Sequence, residues 1–322
     1  MPKNKPFVSI VTINYNQLAV TCEMLDSIRR LTYSDLEVIL VDNASQENPQ
    51  SVIETQYPEV HFIRSDENLG FSGGNNLGIL QSRGEFIFLV NNDTELQEGS
   101  IEQLLALFEQ EPELGIVSPL ICYFPGEETH NKEIIQYAGT TQVNAYTARN
   151  STIGWMEENK GQYNKPQPTA YAHGAAMMIP RSVIDKVGMM PESFFLYYEE
   201  LDWCEQIRRA GYQIYLEPRA KIYHKESVSV GKMSTLKTYY LTRNRIYFMR
   251  RNRRASELLL FALFLTLFTF PKNVMMYIIR GEWAHLKVFL QAIWWNLSRE
   301  DRKLPVDGKV LNTYPRAYKT NY

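Results

Sequence analysis

From Phe7 to Ser118 the chain alternates short apolar runs with helix-like stretches, and the apolar runs keep ending in clusters of Asn, Asp and Ser. The runs Phe7–Ile13, Leu36–Val41, Val60–Arg64, Glu85–Val90 and 115–118 read as strands. The stretches 18–30, 49–56, 74–82 and 98–110 read as helices. Strands that are apolar on both faces need helices covering both faces, so this rhythm predicts βαβ units in a mostly parallel α/β sheet. Such sheets bind ligands in the crevice beyond the carboxyl ends of their strands. Asn14/Asn16, Asp42/Asn43 and Asn91–Asp93 all fall at strand ends, so the fold collects them into one site.

Residues 123–170 are loop-rich and read as an irregular excursion. A strand at Ala175–Ile179, a helix at Arg181–Val187, an acidic cluster opening a helix within 194–211, and short strands at Gln213–Leu216 and Ala220–Tyr223 follow. The chain divides in expectation into a catalytic domain, 1–240, and a C-terminal region, 241–322. The first has a donor half of about 1–120 and an acceptor half of about 121–240. Charge marks the same boundary: residues 241–322 hold 15 Lys+Arg against 5 Asp+Glu, while the whole chain is at −2. An acidic body with a basic, aromatic-rich tail suggests tethering to an anionic surface and gives no reason to expect nucleic acid. Leu258–Phe270 is apolar apart from Thr266 and Thr269, but Pro271 interrupts it, and its 13 residues fall short of the roughly 20 of a membrane span. With a second aromatic-rich helix at Trp283–Leu297, the tail reads as an anchor lying in the membrane interface. A helical subdomain packed on the body, or a re-entrant hairpin at Pro271, is the alternative. Cys22, Cys122 and Cys204 form no CxxC pair, and Met1–Pro6 leads into no apolar signal region. Both observations suggest the cytosol or the cytosolic face of a membrane.

Several clusters carry chemistry. Asn91-Asn92-Asp93 offers a carboxylate and amide oxygens suited to Mg²⁺ or Mn²⁺, or else an Asx turn capping a helix. Asp42-Asn43-Ala44-Ser45 suits nucleotide N–H and ribose hydroxyl groups, or again a cap. Asn68–Gly78 is rich in glycine and asparagine and suits phosphate at a helix start, although it is not GxGxxG. Glu199-Glu200-Leu201-Asp202 crowds carboxylates behind an aromatic run. Such crowding raises proton affinity, as a general base requires, yet the same charges also simply favour a helix N-terminus. His224 is a candidate metal ligand or a structural histidine, and His173-Gly174 faces substrate or turns the chain.

Taken in order, Val-Thr-Ile-Asn-Tyr-Asn, Val-Asp-Asn-Ala-Ser, the Asn68–Gly78 run, Asn-Asn-Asp, His-Gly-Ala-Ala-Met, Tyr-Glu-Glu-x-Asp-Trp-Cys, Tyr-His-Lys and Arg243-Asn resemble the inverting family-2 glycosyltransferases of the GT-A fold. Among these they are most similar to the bacterial rhamnosyltransferase-like group. The resemblance implies a Rossmann-like mixed sheet with helices on both faces and a hexosyltransferase activity. It implies that Thr12, Asn14, Tyr15, Asp42, Asn43, Asn68, Gly70, Phe71, Gly73, Asn75, Asn76 and Asn92 form the nucleotide-sugar pocket. Asp93, Asn91 and His224 would hold a divalent cation (Mg²⁺ or Mn²⁺), with Asn91 standing where relatives carry the first Asp of a DxD motif. Glu200 would be the base, with Glu199 and Asp202 as alternatives, and His173, Gly174 and Trp203 would lie on the acceptor side. The implied partners are a dTDP- or UDP-sugar donor, a polyprenyl-diphosphate-linked saccharide acceptor of O-antigen, capsule or cell-wall synthesis, and the inner-membrane surface. Two rivals differ in class. A nucleotide-dependent oxidoreductase needs glycines where Asn14-Tyr15-Asn16-Gln17 stands, and a non-catalytic nucleotide-sugar-binding or scaffold protein has no use for the 199–202 carboxylates.

Overall fold

The computed structural model of the protein describes residues 5–126, 129, 131–225 and 234–299. The part of the basic tail beyond residue 299 lies outside the described residues. One sheet organises the chain. Its order is β3 (Val60–Arg64), β2 (Leu36–Asp42), β1 (Val8–Asn14), β4 (Phe86–Val90), β9 (Ala176–Pro180), β6 (Leu114–Cys122), β10 (Gln213–His224) and β5 (Thr94–Leu96), with β7 (Ile135–Tyr137) and β8 (Gln167–Pro168) at its margin. Strands β3, β2, β1 and β4 run parallel, whereas β9 is antiparallel to β4, so the sheet is mixed.

The expected double burial has a simple cause. In β1, β2 and β4 alternate residues enter opposite cores: Val8, Ile10, Val38, Leu40, Phe88 and Val90 face one, and Val11, Ile39, Val41, Ile87 and Leu89 the other. The first core is closed by α1 (Leu18–Arg29), α2 (Gln50–Gln56) and α4 (Ser100–Gln110). The second is closed by α3 (Gly70–Gln81), α5 (Arg181–Val187), α6 (Glu199–Arg209) and α7 (Thr235–Asn252). Phe248 and Met249 of α7 are fully buried, so the helix after residue 234 is integral to the body.

Three elements differ from the sequence reading. The two short strands expected near 213–223 are one strand with an irregularity between Glu217 and Lys221. The helix expected at 74–82 begins at Gly70, because its glycines are a packing surface: a Cβ on Gly78 would stand 2.3 Å from Val11 Cγ1, and one on Gly74 2.8 Å from Ile13 Cδ1. Finally, Pro271 does not break the tail. The helical path runs unbroken over 25 residues from Ala255 to Ile279, through α8 (Ala255–Phe264), a π-helical turn at Leu265–Thr269 and α9 (Phe270–Ile279). Proline lacks an N–H, but at the first turn of α9 it needs none. α10 (Trp283–Leu297) then packs back on α7.

Gly78→Ala is expected to lower stability by about 1–3 kcal/mol through overpacking, seen as a lower thermal midpoint. An unchanged midpoint would contradict the close seating of α3 on β1.

Candidate active site

At the ends of β1 and β2 the polar side chains bind one another. Asn14 Nδ2 donates to Asp42 Oδ1 (2.7 Å) and to Ser45 Oγ (3.1 Å), and Asn14 Oδ1 accepts from Thr21 Oγ1 (2.9 Å). Thr21 in turn accepts from Asn92 Nδ2 (2.9 Å). Asp42 Oδ2 pairs with Arg64 Nη1 at 2.8 Å and accepts from the Ser45 N–H. Asp42 is therefore fully buried with both oxygens engaged by the protein, and it presents no free carboxylate. Thr12 is also fully buried, its hydroxyl without a hydrogen-bond partner among the described residues. Tyr15 is half-buried at the strand end.

Asn43 shapes the next segment: its Nδ2 donates to Asn68 Oδ1 and to the Gly70 carbonyl (both 3.1 Å), and its Oδ1 accepts from the Leu69 N–H (2.9 Å). Within α3, Asn75 turns back to the Phe71 carbonyl, while Asn76 bonds Met190 and Glu192. Gly73, Asn75 and Asn76 are buried, and Asn76 ties α3 to the 190–192 segment. Asn68, Leu69 and Phe71, at the start of the run, are half-buried. The Phe71 ring lies against Gly174, since a Cβ added there would be 3.7 Å from Phe71 Cζ.

The antiparallel pairing of β5 with β10 sets His224 opposite Thr94 and hence beside Asp93. His224 Nε2 is 3.0 Å from Asp93 Oδ1, and its Nδ1 is 2.7 Å from Gln136 Oε1. With the Nδ1 proton given to Gln136, the Nε2 lone pair faces a carboxylate oxygen, a contact that a shared proton or a cation relieves. Asp93 Oδ1 is buried and has no hydrogen bond of its own. Gln136 orients the imidazole in the way that outer partners orient metal-bound histidines. These two groups suit one hard divalent cation. No third His, Cys, Asp or Glu joins them among the described residues, so a bound ligand and water would complete the shell. Asn91 is half-buried next to Asp93, its carbonyl tied to Thr94. His173 is the neighbouring ring, with centroids 6.1 Å from His224. Its Nδ1 accepts from the Ala175 N–H, and burial pushes its pKa down to about 3, so the ring is neutral and offers Nε2–H as a donor.

Glu199 and Glu200 open α6, preceded by Phe195, Tyr197 and Tyr198 at φ of +65°, +68° and +76°. Left-handed backbone at such residues costs roughly 1–2 kcal/mol each. Glu199 is 2% exposed, and its Oε2 has no hydrogen bond among the described residues. Burial, then the neighbouring Glu200 charge, raises its pKa well above the usual carboxylate range, while Arg243 opposes the rise. Glu200 is partly exposed, and loss of solvent raises it to about 7 despite backbone hydrogen bonds that favour its anion. Asp202 differs: Arg251, Asn252 and Gln206 occupy its carboxylate, which places it in a structural network. Trp203 is fully buried with its indole N–H on the Gly188 carbonyl, so it supports α6 from inside the core instead of facing an acceptor.

Contacts connect the two charged centres. Asp93 adjoins His224, His224 adjoins His173, Gly174 lies near Phe71 (a Cβ added there would be 3.7 Å from its Cζ), and the Phe71 N–H donates to the Phe195 carbonyl (2.7 Å) just ahead of Glu199. Sequence reasoning missed Thr21, Arg64, Gln136 and Asn244. The first three lie outside any local pattern, and Asn244 stood in the Arg243-Asn motif without a role.

Residues 9–188, more than half of the chain, match the family model described as Glycosyl transferase family 2. The low-salt glycan biosynthesis hexosyltransferase Agl10 of Haloferax volcanii is 30% identical over 211 residues, 64% of this chain, and the match spans 63% of that protein, less than two thirds of its length. The N-acetylglucosaminyl-diphospho-decaprenol L-rhamnosyltransferase of Mycobacterium tuberculosis is 24% identical over 242 residues, covering 69% of this chain and 77% of that one. Among solved structures, the mannosyltransferase PcManGT of Pyrobaculum calidifontis in complex with GDP-Man and Mn²⁺ superposes with a TM-score of 0.56 at 15% identity, over 92% of this chain and 88% of that one. The shared fold is the GT-A arrangement of a mixed sheet between helical layers.

Because the folded state holds the Glu199 proton to higher pH than the unfolded chain does, stability falls as pH rises from the unfolded value near 4.5 to the raised folded value. Glu199→Gln, which cannot ionise, is therefore expected to raise the thermal midpoint over wild type at pH 8, with the gain shrinking toward pH 4. Equal midpoints at pH 8 would show that Glu199 is not held protonated.

Proposed function

The chain belongs to glycosyl transferase family 2, and on that premise we propose that it transfers a sugar from a nucleotide-diphosphate donor to a hydroxyl of a lipid-linked saccharide, inverting the anomeric centre. The observation that carries this reading is the line of contacts from the Asp93–His224 pair to the head of α6, where a carboxyl with a pKa near 7 sits beside a more deeply buried one. The names of the Haloferax and Mycobacterium relatives support a hexose donor and a polyprenyl-diphosphate acceptor, with L-rhamnose as the favoured sugar.

In this mechanism the half-buried Tyr15 and Asn68 line the nucleotide pocket, backed by the buried Asn14 and Asn43 and by the Asp42–Arg64 brace. Asp93 and His224, with Asn91 adjacent, would hold a divalent cation. Bound there, the cation supplies positive charge that stabilises the departing diphosphate. Glu200 accepts the proton of the acceptor hydroxyl as its oxygen bonds to the anomeric carbon. The bond from that carbon to the diphosphate oxygen breaks, and the electron pair leaves with the diphosphate. His173 Nε2–H and Gly174 stand between the two centres, on the acceptor side. Glu199 keeps its proton and so leaves the neighbouring Glu200 free to ionise.

The C-terminal helices complete the reading as a platform on an anionic membrane at its cytosolic face. The 25-residue helix of α8 and α9 is about 37 Å long, enough to cross a bilayer. One edge nevertheless stays on the protein: Phe261 is buried, and Phe270 and Tyr277 pack on Phe289 of α10. The opposite edge exposes Leu259, Leu263, Leu267 and Phe268, and α10 adds Trp283, Trp294 and Leu297. Contact along one side with apolar groups along the other suits a helix lying in the interface, with Trp at headgroup depth.

Glu200→Gln is expected to cut kcat by about 10²–10⁴-fold while donor Kd stays within about threefold; wild-type turnover would reject the base. In the wild type, kcat should rise with pH through about 7 as Glu200 ionises. Asp93→Ala should abolish the Mn²⁺-dependent rise in thermal midpoint seen with nucleoside diphosphate; a retained rise would reject the cation site. The triple substitution Leu263→Glu, Leu267→Glu and Phe268→Glu should abolish flotation with vesicles containing anionic lipid at unchanged midpoint, and undiminished flotation would overturn the platform.

A further inference from the structure

The Phe195–Tyr198 loop holds three non-glycine residues in left-handed backbone immediately before the carboxylates. Nothing in its sequence favours that conformation, so the surrounding structure has to impose it. α7 supplies the clamp. Asn244 is fully buried, and its two Nδ2–H bonds are shared among the carbonyls of Phe194 (3.0 Å), Leu196 (2.7 Å) and Tyr197 (2.8 Å). Its Oδ1 accepts from Arg243 Nε (2.7 Å), which fixes the orientation of the amide. The Arg243 guanidinium, itself 1% exposed, donates to the Ser193 and Phe194 carbonyls and lies against the Tyr240 and Trp295 rings. On its other side the loop meets α3. The Phe195 carbonyl accepts from the Phe71 N–H, and Gly70, at φ +71°, leaves room where a Cβ would come within 2.3 Å of that oxygen.

We infer that Asn244 is a positioning residue for glycosyl transfer: its amide gathers the three carbonyls of the strained loop and so sets Glu199 and Glu200 at the head of α6, opposite the donor segment at Phe71. Hydrogen-bond capacity, not volume, does this, because only a side chain with two N–H bonds and one acceptor can serve the loop and Arg243 together. Asparagine at 244 touches neither donor nor acceptor directly. Its removal therefore acts on the alignment of the carboxylates and leaves the strand-end nucleotide pocket in place.

The test compares Asn244→Ala and the isosteric Asn244→Asp with wild type in the full chain, by turnover, by nucleoside-diphosphate affinity and by hydrogen exchange at the Phe71 amide. Both variants should lose about 100-fold in kcat per folded molecule, bind the nucleoside diphosphate within about threefold of wild type, and exchange the Phe71 amide at least about tenfold faster as the loop is released. Should Asn244→Ala not fold, Asn244→Ser, which retains one donor, carries the same expectations in weaker form. Full turnover in Asn244→Asp would show that the side chain only fills space and would overturn the inference, as would an unchanged exchange rate. The inference rests on the glycosyl-transfer reading for its kinetic part alone. The exchange measurement needs no reaction, so a failure of that reading and a failure of the clamp are told apart.

Discussion

An unpaired polar side chain along a strand buried on both faces costs desolvation energy, and in β1 only Thr12 bears that cost among the described residues. In β1, β2 and β4 the residues therefore alternate between two apolar cores, and polarity is displaced to the point where each strand leaves the sheet. That displacement brings Asn14, Asp42 and Asn91–Asp93 to the carboxyl ends of neighbouring strands. The antiparallel insertion of β9 and the return of β10 then deliver His173 and His224 to the same end. The chemistry of the molecule is thus a consequence of where burial forbids charge.

At that end the protein binds itself before it binds a ligand. The Arg64–Asp42–Asn14–Thr21–Asn92 chain satisfies buried groups from four separate segments and leaves few of them free to rearrange. A network completed in this way is rigid, and a rigid pocket loses little entropy when a ligand enters. Two carboxylate oxygens, Asp93 Oδ1 and Glu199 Oε2, are among the buried atoms left without hydrogen bonds among the described residues. Unsatisfied polarity is costly, and among the described residues it also occurs at Thr12, Ser72, Arg208, Arg253 and Trp295.

The period of residues 8–118 suffices to specify a parallel sheet with its polar ends together, since burial alone sets that pattern. It does not reveal that β9 runs antiparallel, because a strand buried on both faces reads the same in either direction. The Asn68–Gly78 run shows how composition misleads. Glycines there suggest backbone open to phosphate, whereas Gly74 and Gly78 let α3 press onto β1. Pro271 misleads for a related reason, since a proline at the first turn of a helix and one inside it look alike until the backbone is traced. For Glu199, Glu200 and Asp202 the spacing alone left three candidates, and only Arg251 and Asn252, some 50 residues away, remove Asp202 from the cleft. Long-range partners of this kind leave no local trace.

We propose that one cation-held diphosphate lies between the Asp93–His224 pair and Glu200. The most direct measurement is the anomalous-scattering position of Mn²⁺ in crystals of the full chain grown with nucleoside diphosphate. The account predicts a single peak bonded to Asp93 Oδ1 and His224 Nε2, with phosphate oxygens completing its shell on the side facing Glu200. A peak elsewhere, or Mn²⁺ bound with the diphosphate on the far side from Glu200, would contradict it.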